Sequence, residues 1–96
     1  MKKKKKRNQP YEIGKNYLIR TVTMIQCGRL VEVYQQELVL ENASWIADTG
    51  RFNRALKNVD ILSEVEPFPT GRVIVGRGAV IDASIPKWDK LPREEK

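Results

Sequence analysis

Two segments, Gly28-Arg29-Leu30-Val31-Glu32-Val33 and Val73-Ile74-Val75-Gly76-Arg77-Gly78-Ala79-Val80-Ile81, most constrain what this chain can fold into. Both are short, rich in β-branched residues and punctuated by glycine, a pattern that suits strands turning tight corners. They predict a small β-barrel.

The rest of the middle of the chain follows the same pattern. Tyr17 to Ile25 reads as a strand whose face of Leu18, Val22 and Met24 is interrupted by Arg20. Gln26-Cys27-Gly28 is expected as a turn, and Leu30 to Tyr34 followed by Leu38-Val39-Leu40 as a hairpin. Asp48 or Thr49 then offers an N-cap to a helix of two or three turns, with Phe52, Ala55 and Leu56 at helical spacing and Asn58 near its end. Glu66-Pro67-Phe68-Pro69-Thr70-Gly71 reads as a connector, because neither proline can donate to a ladder. Arg72 to Val75 and Ala79 to Ile85 are two further strands joined at Gly76-Arg77-Gly78. The expectation is a mainly β fold: a small, five-stranded, strongly bent barrel over residues 11–85 with a short helical insert. Closure removes exposed sheet edges and gives a short chain one continuous core.

Charge separates the ends from this middle. Six of the eighteen Lys and Arg lie in residues 1–9, and the other twelve are matched by twelve Asp and Glu. The net charge of +6 therefore belongs to a tail and not to the domain. Residues 1–10, with a block of like charges and no apolar side chain after Met1, are expected to be a disordered basic tail. Residues 86–96, with two prolines and alternating charge, are expected to be a flexible C-terminal end, from which Trp88 and Leu91 are the groups able to dock on the domain or a partner. No apolar run reaches the roughly 18 residues of a membrane span, and polar residues follow the lysines where a signal peptide needs an apolar core. A single cysteine, Cys27, excludes an intrachain disulfide and fits a reducing compartment, so a cytoplasmic location is expected.

The strand order resembles the Sm-like barrel of Sm, LSm and Hfq-type proteins, through Gly28, Leu30, Val33, Leu40 and Asn42 in its first half and Val75, Arg77, Gly78 and Ile81 in its second. The resemblance covers roughly residues 16–46 and 72–85. It implies a homo-oligomer built by pairing the edge strands of neighbouring copies. Where that family carries its base-contacting loop this chain has Tyr34-Gln35-Gln36-Glu37, so the family's RNA recognition does not carry over. Arg20 to Met24, Glu41 to Phe52, Ser63 to Phe68 and Val75 to Asp82 are also similar to a family of small uncharacterised phage and prophage proteins. This second resemblance spans roughly residues 11–85 and implies a phage context in a bacterial host, without an activity.

Three features are candidates for binding nucleic acid or a nucleotide. The run Lys2, Lys3, Lys4, Lys5, Lys6 and Arg7 is suited to neutralising phosphates without regard to sequence, and equally to keeping the chain soluble. Gly76-Arg77-Gly78 either sets a guanidinium beside approachable backbone amides, as an anion site requires, or simply permits a positive-φ corner. Trp45, with Phe52, Arg51 and Arg54 nearby in sequence and Asn42, Asp48 and Thr49 around it, supplies either a stacking platform for a base or an aromatic cap on the barrel.

Catalysis has less support. There is no histidine to serve as a neutral-pH acid or base, and none to activate Cys27. Asp60, Glu64 and Glu66 have the chemistry to share a metal, but beside Pro67 they read as solvated loop acids. The expected function is a non-enzymatic, cofactor-free, homo-oligomeric binding module. The alternative is a phage structural protein or a host-protein-interaction accessory.

Overall fold

The computed structural model describes residues 9–96. Six strands, β1 (Asn16–Thr21), β2 (Ile25–Val33), β3 (Glu37–Asp48), β4 (Glu64–Pro67), β5 (Arg72–Gly76) and β6 (Val80–Ser84), form one antiparallel sheet. Helix among the described residues is limited to α1 (Phe52–Ala55) and 3-10 turns at Val59–Ile61 and Arg77–Ala79. The mainly β expectation holds. Its count of five strands becomes six, because Glu64–Pro67 pairs with the end of β3 and is not part of a loop.

The long strand β3 organises the sheet. One edge pairs with β2 along its length, while the other pairs with β5 through Glu37–Glu41 and with β4 through Ser44–Asp48. Between those two halves Asn42 adopts φ 52°, a left-handed conformation that asparagine tolerates better than most residues. At this point Asn42 and Ala43 of β3 stand against Gly28 alone on β2, a bulge that bends the strand.

Gly28 is thus a strand residue and not part of a turn. A Cβ there would come within 3.0 Å of the Leu40 Cβ and 3.2 Å of the Ala43 Cα, so only glycine lets β2 and β3 approach at the bend. The real turn lies earlier, at Val22–Met24, where Thr21 Oγ1 accepts from the Met24 amide at 3.1 Å and donates to the Met24 carbonyl at 2.9 Å. Val22 is consequently 72% exposed, although alternation had placed it on an apolar face.

Successive strand residues point to opposite faces, and both faces of this sheet are covered. Tyr17, Ile19, Leu30, Leu38, Leu40, Ala43 and Val75 form a core on one face. Leu18, Cys27, Ile46 and Val65 on the other pack with Ala55 and Leu62 from the insert and with Trp88. Full burial of each large aliphatic contributes roughly 2 kcal/mol.

The insert departs from expectation in detail. α1 is one turn long, begins after Arg51 and has no side-chain cap; Asp48 Oδ1 instead accepts from the Gly50 amide at 2.8 Å. Asn58 caps the following 3-10 turn by accepting from the Asp60 amide at 3.0 Å. The C-terminal stretch, read from the sequence as a flexible end with two docking groups, lies across the domain. Trp88 is buried and its Nε1 donates to the Ala55 carbonyl at 2.6 Å, Ser44 Oγ donates to the Pro92 carbonyl at 2.9 Å, and Lys96 exchanges backbone hydrogen bonds with Val65 on β4.

β6 ends the sheet path while β5 lies off it, paired with β3, although only Arg77–Ala79 separates the two strands. The segment is a 3-10 turn in which neither glycine needs positive φ: Gly76 has φ −71°, and Gly78 is absent from the positive-φ residues. No ladder joins β5 to β6 among the described residues, so the sheet stays open at that seam.

Candidate functional site

Tyr11 lines a groove together with Arg77 and the first residues of β6. Its ring packs against the first core and lies 5.8 Å from the Tyr17 ring at a 60° tilt, while the Tyr17 hydroxyl accepts from the Glu12 amide at 2.9 Å. The Arg77 guanidinium lies over the Tyr11 ring, 5.1 Å from its centroid, in a cation–π arrangement.

Two further bonds fix Arg77 at the end of β5. Its amide donates to the Gln36 carbonyl at 2.9 Å, and its Nη1 donates to the Tyr34 carbonyl at 2.7 Å. Nε and Nη2 have no hydrogen-bond acceptor among the described residues. Arg77 lines a groove of about 560 Å³ together with Tyr11, Glu12, Tyr17 and the β6 residues Val80–Ala83, so two acids, Glu12 and Asp82, share it. Gly76 and Gly78 flank the arginine with open space around them, since a Cβ at either would meet nothing within 4 Å. The arrangement offers planar donors next to aromatic surface, which suits a phosphate or carboxylate attached to a flat group.

The other sequence candidates do not gather here. Trp45 is paired in the ladder with Gln26 and Glu66, and alternation turns it away from its neighbour Ile46. Phe52 packs against the core on the Ile46 side, so Trp45 and Phe52 lie on opposite faces of β3. The Phe52 ring is covered by the Arg20 guanidinium, 5.2 Å from its centroid. Arg20 in turn pairs with Asp82 on β6, donating from Nε to the two carboxylate oxygens at 2.9 and 3.1 Å; this hydrogen bond lowers the Asp82 pKa and raises that of Arg20. Arg51 and Arg54 are exposed on the insert. Lys2 to Arg7 lie outside the described residues.

Comparison with protein-family models, with curated proteins and with solved structures finds no match to this chain.

The remaining titratable candidates have structural surroundings. Cys27 is buried between β1 and β3, and loss of solvation pushes its thiol up to about 12, against a weaker opposing hydrogen bond at Ser44. It is therefore a thiol and not a thiolate near neutral pH. Glu64 and Glu66 are strand residues flanking buried Val65, and no group of three His, Cys, Asp or Glu among the described residues is arranged to hold a metal ion. No helix among them is long and apolar enough to cross a membrane.

The sequence drew attention to Arg77 but not to its setting. Tyr11 lies 66 positions away, and only the N-terminal segment folding back over β1 unites them. An isolated Pro-Tyr pair before the first strand carries no signal of that contact.

Proposed function

We propose that the chain is a non-enzymatic, phage-type binding module: a small barrel of Sm-like order that assembles as a homo-oligomer and binds nucleic acid or a nucleotide. The observation that carries the reading is Arg77, held by Tyr34 and Tyr11 with Nε and Nη2 left for an anion beside the Tyr11–Tyr17 groove. A phosphate held by the guanidinium leaves room for a base along the groove's aromatic wall. Lys2 to Arg7, six cations preceding the residues that bound this groove, add affinity without sequence preference.

The barrel and the oligomer rest on the same topology. β6 ends the sheet path and β5, only three residues before it, pairs with β3 beyond the path's other side, an arrangement that a sheet curved into a barrel accommodates. Each of β5 and β6 keeps an edge with no ladder among the described residues, and Ile74 and Ile81 on them are 71% and 62% exposed. Pairing such edges between copies satisfies their backbone groups and covers both isoleucines.

Titration of the full chain with a fluorescent single-stranded oligonucleotide at low salt tests the binding, with Arg77→Gln expected to weaken it at least fivefold. Light scattering tests assembly. No binding by the wild-type chain overturns the nucleic-acid reading, and a strict monomer overturns the oligomer.

The same exposed isoleucines favour a second reading, a protein-interaction accessory. Its other sequence support is spent inside the chain, since Trp88 is buried and Leu91 packs on the second core. Recovery of one stoichiometric protein partner after nuclease treatment, with no oligonucleotide binding, selects that reading.

A further inference from the structure

We propose that Arg51, Arg54, Lys57 and Lys87 form a second, separate contact surface for the phosphodiester backbone of a nucleic acid, resting on the nucleic-acid reading above. Most other cations of the described domain are already engaged. Arg20, Arg29 and Arg72 pair with Asp82, Glu41 and Glu32; Arg77, Arg93 and Lys96 donate to backbone carbonyls. Six lysines and arginines remain without an acidic or carbonyl partner among the described residues; three of them are on the insert, and a fourth, Lys87, is bonded to it through its backbone.

The local fold explains why. Phe52, Ala55 and Leu56 turn toward the second core, which leaves Arg54 and Lys57 on the opposite side of the short helix with Arg51 at its entrance. Lys87 comes from the far end of the sequence: its amide donates to the Leu56 carbonyl at 2.7 Å, and the next residue, Trp88, is anchored on the Ala55 carbonyl. The C-terminal strap therefore delivers a fourth cation to the ridge. All four are exposed; the acids that flank them in sequence are Asp48, Asp60 and Asp89, of which Asp48 accepts from the Gly50 amide, and none of the three forms an ion pair with them among the described residues.

A domain whose described residues carry balanced charge thus presents four exposed cations without an ion-pair partner among the described residues. Phosphates spaced along a flexible backbone complement them, because each long side chain can engage a separate charge. The ridge carries no exposed aromatic for a base, since Phe52 is half-buried beneath Arg20, so contact here is indifferent to base identity.

The test compares the full-length wild type with the triple variant Arg54→Gln, Lys57→Gln, Lys87→Gln. Affinity for poly(dT) and for a mixed-sequence strand is measured across a salt series, with thermal melting to show that all chains fold. Each lost phosphate contact removes about 0.7 from the magnitude of the slope of log K against log salt on single strands. The variant is expected to lose about 2 from the slope and at least tenfold in affinity, equally on both strands. An unchanged slope and affinity in the variant overturns the ridge while leaving the Arg77 groove standing. No binding by the wild type overturns both.

Discussion

Arg93 donates from Nη1 to the Ala43 carbonyl at 2.9 Å, at the position where β3 exchanges β5 for β4 as its neighbour. The Phe68 amide donates to the same carbonyl at 2.9 Å, and Arg93 Nη2 reaches the Phe68 carbonyl at 3.5 Å. A side chain from the C-terminal strap thereby ties the bend in β3 to the break between β4 and β5. Replacing Arg93 with Ala is expected to cost about 1–2 kcal/mol, the range for a hydrogen bond from a charged group discounted for its partial exposure. Urea unfolding reads this directly, and a change below about 0.3 kcal/mol removes the strap from the account of the bend.

Gly28 faces the same bend from β2. Gly28→Ala places a methyl 3.0 Å from Leu40 Cβ and 3.2 Å from the Ala43 backbone, where two strands and not a flexible side chain must give way. The expected destabilisation is about 1–3 kcal/mol, as for overpacking elsewhere. A turn at this position instead predicts a change near zero or a slight gain, so the sign and size of the shift in melting temperature separate the two structures.

Burial of Cys27 carries a pH signature. Its folded thiol titrates at about 12, against roughly 8.5 for an exposed one, so the unfolded chain loses the proton first. Below pH 8.5 both states hold it and the group contributes nothing to pH dependence. Between there and pH 12 it lowers stability by about 1.4 kcal/mol per unit. Urea midpoints for wild type and Cys27→Ala are expected to converge as pH rises from 8 to 10.5. Parallel curves contradict the burial. At pH 8 the native thiol is likewise expected to resist a thiol-reactive dye until denaturant is added.

Strand identity was largely legible along the chain. Arg72–Val75 and Ala79–Ile85 fall within a residue or two of β5 and β6, because β-branched runs bounded by glycine have few other stable uses. The turn was misplaced because Val22 and Met24, apolar residues, sit in the real one, while Gly28 and Cys27, ordinary turn and small residues, sit inside β2. Local preference yielded there to the close approach of β3. Glu66–Gly71 looks like a connector, and Glu64 and Glu66 look like loop acids, because acids beside prolines lack strand character; an edge position beside β3 makes Glu64–Pro67 a strand.

The sequence alone determined that the chain is mainly β, that its charge excess lies in residues 1–9, and that Arg77 stands at a corner between strands. These properties are local: they depend on residue type, spacing and adjacency. Tertiary structure alone decided that Tyr11 backs Arg77, that Trp45 and Phe52 part across β3, that Trp88 docks inward and that Lys87 joins the cations of the insert. Each depends on residues tens of positions apart meeting on one face. The bend at Asn42, the register of β2 on β3 and the burial of Trp88 arrange those meetings, and all three arise from packing many residues at once.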